Sequence, residues 1–126
     1  VEIEKEKAMP LLKKADEAFT KVSELKPDSY LGLYMRARTN YQMDPSSELG
    51  LARPFYEKTI EMVAADPETN KGVLIEAYSY YYYLQFDKHK KAEDKANVKL
   101  YAAKVLELDP ENGNGKQLYE FANNGK

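Results

Sequence analysis

Three segments of the 126-residue sequence superimpose when aligned on their ends: Ala15 to Pro27, Ala52 to Ala64 and Val98 to Pro110. Each opens on a small or branched residue (Ala15, Ala52, Val98). Phe19, Tyr56 or Ala102 follows, then Val22, Thr59 or Val105, and finally Leu25, Met62 or Leu108. Steps of three and four put these positions on one face of a helix. A helix whose apolar stripe is too wide to cover itself must be covered by neighbours, so an internal repeat of such helices dictates helix pairs stacked side by side.

The rest of the chain fits this plan. Long helical patterns alternate with Pro- or Gly-containing breaks, and no stretch alternates apolar and polar residues as a half-buried strand does. The spacing predicts helices from Pro10 to Leu25, Ser29 to Met43, Leu51 to Ala65, a point between Glu68 and Gly72 to Phe86, Lys91 to Leu108, and Asn114 to Ala122. Pro10 and Pro54 are expected in first turns, where the missing amide donor costs nothing. Breaks fall at Lys26-Pro27-Asp28-Ser29, Asp44-Pro45-Ser46-Ser47, Asp66-Pro67 and Asp109 to Gly113, because proline disfavours helix at the residue before it. The charged run Glu2 to Lys7 reads as a frayed helical remnant or a disordered leader. The resulting organisation is a leader over 1–9 and one helical-repeat domain over 10–126. That domain comprises a half repeat at 10–27, repeats at 28–65 and 68–110, and a capping helix at 113–124.

Composition removes several classes of function. Nineteen Lys and Arg against 21 Asp and Glu leave a net charge of −2, which gives no broad attraction for nucleic acid or anionic membrane, so no nucleic-acid partner is expected. No apolar run approaches the roughly 18–20 residues of a membrane span, so no direct membrane insertion is expected. With no cysteine and one histidine, the chain has no thiol nucleophile and no usual Cys/His zinc set. His89 sits in the charged turn Asp87-Lys88-His89-Lys90-Lys91 and reads as solvated. Glu57, Glu61 and Lys58 read as an ordinary solvated helix face. Asp109 to Glu120 faintly resembles a calcium loop, but its sixth position is Asn114 where glycine is required, and a helix-to-helix turn is the better reading. No catalytic residue, cofactor or metal is assigned.

The repeated segment resembles the second helix of a tetratricopeptide repeat, most closely at Lys104 to Pro110. The family's period is about 34 residues. Here Ala15 to Ala52 spans 37 and Ala52 to Val98 spans 46, with the extra residues assigned to turns. The family's first-helix positions fall on Leu33, Arg36 and Ala37, where Arg36 is the wrong type, or one residue on at Tyr34, Ala37 and Arg38 with Tyr41. In the next repeat Tyr78, Tyr81 and Tyr82 take these places.

The resemblance implies an all-α, right-handed helical-hairpin solenoid of about 2.5 repeats plus a C-terminal capping helix. It also implies a non-enzymatic scaffold that binds a protein or peptide. Its groove positions correspond to Leu31, Tyr34, Arg38 and Tyr41, then Ser79, Tyr80, Tyr83 and Phe86. The sequence has 11 tyrosines and no tryptophan, with Tyr80 to Tyr83 consecutive, so the groove is expected to be aromatic. Four successive residues cannot share a helical face; Tyr78, Tyr81 and Tyr82 are assigned to packing, Tyr80 and Tyr83 to the groove. The family's clamp for a peptide's terminal carboxylate is not reproduced, since only Arg38 could contribute. The alternative is an assembly or self-association module of a longer array with no separate ligand. The first residue is Val1, and the first repeat has only its second helix unless Val1 to Met9 supplies the first. Further repeats are therefore expected before Val1, with Leu12 and Phe19 partly uncovered and a homodimer possible through that end. Similarity to exported bacterial repeat proteins leans towards a place outside the cytoplasm.

Overall fold

The computed structural model describes residues 2–45, 49–80 and 92–124. Six helices and no strand are found among them: α1 (Glu2–Leu25), α2 (Leu31–Met43), α3 (Arg53–Val63), α4 (Lys71–Ser79), α5 (Ala92–Leu108) and α6 (Gly113–Asn124). The all-α reading holds. One boundary differs, because α1 runs back through the charged segment and places Pro10 inside the helix rather than in its first turn. Glu and Lys are good helix formers, and Pro10 forfeits only its own amide bond to the preceding turn.

The chain divides into two compact units, Val1–Met62 and Val63–Lys126. In the first, α1 and α2 run antiparallel and approach most closely at Gly32. A Cβ on Gly32 would overlap Ser23 Oγ and stand 2.8 Å from Ser23 N and 2.9 Å from the Phe19 carbonyl oxygen. One turn on, Arg36 meets Asp16 of α1 with both arms of its guanidinium. Nε donates to Oδ1 at 2.9 Å and Nη2 to Oδ2 at 3.1 Å. Another turn on, Asn40 Nδ2 donates to Asp16 Oδ1 and to the Arg36 carbonyl, both at 2.8 Å. The Arg36 guanidinium also lies 4.2 Å from the ring centroid of Phe55 on α3, so one side chain touches three helices.

The clasp explains why arginine occupies a position that the resemblance assigns to an aliphatic residue. Burial favours one register: Ala37 is fully buried while Arg38 is exposed, so Ala37 is the small residue of the set Leu33, Arg36 and Ala37. Thr39 and Thr59 are buried because their hydroxyls donate to the carbonyls of Met35 at 2.8 Å and Phe55 at 2.7 Å. Asp44, also buried, accepts the amides of Leu49 at 3.2 Å and Leu51 at 3.3 Å, tying the end of α2 to the approach to α3.

In the second unit Val98 and Ala102 of α5 pack with Leu118 of α6, and Tyr101 and Tyr119 close the cluster. Tyr78 of α4 meets Tyr101 with ring centroids 5.5 Å apart. Burial, reinforced by Tyr101 and Glu107, pushes the Tyr78 phenol above its ordinary range. Asn112 caps α6 by accepting the Gly115 amide at 2.8 Å, while Asp109 accepts the Glu111 amide at 3.3 Å. Of the positions that suggested a calcium loop, Asp109 is thus engaged in a turn and Glu111 Oε2 accepts from Lys116 Nζ at 3.3 Å. Gly115 lets α6 lie against α5, since a Cβ there would stand 3.0 Å from Val105 Cγ1.

The repeated stripe is buried at Ala52, just before α3, at Tyr56 and Thr59 within it, and in α5 at Val98, Ala102 and Val105. In α1 the equivalent Ala15, Phe19 and Val22 are half-buried. The fourth position is not core: Leu25 is 82% exposed and Met62 37% exposed.

Two predictions follow from the first unit. Gly32→Ala overpacks the α1–α2 contact and lowers stability by about 1–3 kcal/mol, whereas Gly72→Ala, whose Cβ meets nothing within 4 Å, is neutral or stabilising. Thermal melts of the two variants make the comparison, and equal effects would contradict the close approach. Arg36, then Asn40, hold the Asp16 carboxyl below its ordinary 3.8 against the opposing effect of burial. The carboxylate therefore contributes stability that is complete above pH 3.8 and is lost as pH falls through the lowered folded value. Asp16→Asn should melt about 5 °C below the parent at neutral pH, and the gap should narrow on acidification below pH 3.8. A gap that stays constant with pH would contradict the clasp.

Candidate functional site

Tyr30, Tyr34 and Arg38 step by four along α2 and so form one line on its surface. On a helix of 100° per residue this line lies about 160° from the Gly32–Arg36–Asn40 edge that grips α1. The clasp therefore fixes how α2 is rotated and which side chains it turns away from α1. The Tyr30 and Tyr34 ring centroids are 6.0 Å apart with planes inclined at 55°, and the Arg38 guanidinium carbon stands 4.8 Å from the Tyr34 centroid. This is a ladder of two rings and a cation in which each member supports the next. Tyr34 and Tyr41 are half-buried, Arg38 is exposed and Leu31 is 50% exposed. Amphipathic rings held in place by neighbours offer contact area with little rotamer entropy to lose.

Tyr30 was not among the groove positions, which begin at Leu31. Its four-residue step to Tyr34 is the signal that identifies it, and its backbone is already helical at φ −73° and ψ −15°.

The second set of expected groove residues lies in the other unit and is not alike. Ser79, the last residue of α4, is half-buried. Tyr80, expected to face the groove, is instead buried at 3% exposure. Leu74, Ala77, Tyr78 and Tyr80 are all buried and spread over about 160° of the helix circumference, so α4 is covered across a broad arc rather than a narrow stripe. Tyr83 and Phe86 lie outside the described residues, as do Tyr81, Tyr82 and His89.

Among the described residues no three His, Asp or Glu side chains are grouped to hold a metal ion, and no helix is long and apolar enough to cross a membrane. The α2 face combines aromatic area, one aliphatic side chain and one guanidinium.

No protein-family model and no curated protein matches the chain. A solved structure does. The crystal structure of the C-terminal part of a TPR repeat-containing protein from Cytophaga hutchinsonii superimposes with a TM-score of 0.76 and 39% sequence identity. The match covers 85% of this chain and 40% of that one, so the chain spans two-fifths of the neighbour's length. Tetratricopeptide-like folds serve in general as protein-interaction scaffolds. On its repeated stripe, its helix order and this bacterial neighbour together, the chain is recognised as tetratricopeptide-like, with the all-α helical-repeat fold of that family.

Proposed function

We propose that this chain is a non-enzymatic scaffold whose α2 face, formed by Tyr30, Leu31, Tyr34, Arg38 and Tyr41, holds an extended peptide or a helix of a partner protein. The observation that carries this reading is the Tyr30–Tyr34–Arg38 ladder, held on the side of α2 turned away from the Arg36 clasp. Burying a few such rings can supply several kcal/mol towards the roughly −8 kcal/mol of a micromolar complex. The proposed surface is confined to α2. For Tyr78 and Tyr80 burial favours packing within the fold, which is the role the assembly alternative gives to the tyrosines.

Peptides selected from a random library for binding to the chain provide the test. The double variant Tyr30→Ala, Tyr34→Ala should weaken their binding by about tenfold or more, with little change in melting temperature. Unchanged binding would refute the surface, and a large loss of stability would assign both rings to packing instead.

A further inference from the structure

The sequence contains three Asn-Gly pairs, all after Glu111: Asn112-Gly113, Asn114-Gly115 and Asn124-Gly125. Asn followed by Gly is the pair most open to self-modification, because no Cβ shields the glycine nitrogen from the neighbouring side-chain amide. That nitrogen attacks the asparagine Cγ. A C–N bond closes a five-membered succinimide, the bond from Cγ to Nδ2 breaks, and the side-chain nitrogen leaves as ammonia. Water then opens the ring at either carbonyl. One opening gives Asp, and the other gives isoaspartate, in which the chain runs through the side-chain carbon. The sum is amide plus water to carboxylic acid plus ammonia, and water is the one co-reactant.

The first two pairs are neighbours, yet the fold treats them differently. Asn112 lies outside α6 and Gly113 is the first residue of that helix. A first helical amide has no intrahelical acceptor. Gly113 is exposed, and its amide donates to no acceptor among the described residues. Asn114 lies inside the helix. The nitrogen that would attack it belongs to Gly115, which is buried and already donates to Asn112 Oδ1 at 2.8 Å. Gly115 also lies against α5, where a Cβ would stand 3.0 Å from Val105 Cγ1 and 3.2 Å from Leu106 Cδ2. Ring closure needs the asparagine backbone to rotate about its Cα–C bond. At Asn112 that rotation costs the first turn only, namely the Gly115 cap bond and the 3.0 Å bond from the Lys116 amide to the Asn112 carbonyl. Helix ends open at a small part of the cost of global unfolding. At Asn114 the rotation would pull Gly115 off α5.

We propose that Asn112 is a site of spontaneous deamidation, and that its isoaspartate form loosens α6 from α5. The Asp product keeps a capping oxygen for the Gly115 amide and adds negative charge where the helix dipole favours it. Its cost is a like charge beside Asp109, to whose Oδ2 Asn112 Nδ2 donates at 3.4 Å. In the isoaspartate product the backbone before Gly113 is one carbon longer and the remaining carboxylate sits directly on Cα, so the cap geometry is lost. Leu118 of α6 packs on Val98 and Ala102 of α5, which carries the change into the core of the second unit.

Mass spectrometry of the whole chain, incubated in mildly alkaline buffer, tests the proposal, with fragment ions separating position 112 from position 114. In the folded chain Asn112 should convert about tenfold faster than Asn114. In a synthetic peptide spanning 105–116, which has no α5 to pack on, the two should convert at similar rates. Gly113→Ala, whose Cβ meets nothing within 4 Å, should suppress conversion at Asn112 without lowering the melting temperature. The isoaspartate form, separated by chromatography, should exchange its α6 amides with deuterium faster than both the parent and Asn112→Asp. No conversion at Asn112, or a folded-chain ratio equal to that of the peptide, would overturn the site. Equal exchange in the isoaspartate form and Asn112→Asp would overturn the loosening of α6.

Discussion

The first unit depends on a polar contact, the fork of Arg36 on the Asp16 carboxylate. Between α1 and α2 the contacts through Ser23, Asp16, Gly32, Arg36 and Asn40 are made by polar side chains and close backbone approach. Gly32 allows the backbones to close up, and the fork then supplies direction. Two parallel N–H···O bonds fix distance and angle together, and Asn40 completes the carboxylate's partners. Both charged side chains are roughly one-fifth exposed, at 23% for Arg36 and 21% for Asp16, so the pair is shielded more than a surface bridge without the full desolvation cost of a buried one. Arg36 also covers the Phe55 ring, so the same side chain links α2 to α3 as well. The outward tyrosine ladder of α2 follows from that arrangement.

Periodicity made the helices and much of the core legible in the sequence. The stripe positions Ala52, Thr59, Val98, Ala102 and Val105 are buried because a period of three and four reports which residues share a face. The same period misled at Leu25, which directly precedes the Lys26-Pro27 break and is exposed. It was also silent about Arg36. A residue type judged against a family pattern looks misplaced when its partner, Asp16, lies 20 positions earlier on another helix. Tyr80 shows the matching limit for a site: a helical wheel states the direction of a side chain but not how wide an arc its neighbours cover.

A helix gripped along one edge must turn other edges outward, and in α2 these carry rings braced by a guanidinium. In the second unit α4 and α6 cover α5, and α6 leaves Lys116, Gln117 and Glu120 exposed while Leu118 is buried.

The most direct test of the account is a double-mutant cycle on Asp16 and Arg36, using Asp16→Ala, Arg36→Ala and the pair, with stability read from urea unfolding. The clasp predicts a coupling energy of about 1 kcal/mol or more, because either substitution alone removes the same pair of charge-assisted bonds. Additive losses would contradict it and would mean that the helices of the first unit are held by contacts other than the Arg36 fork.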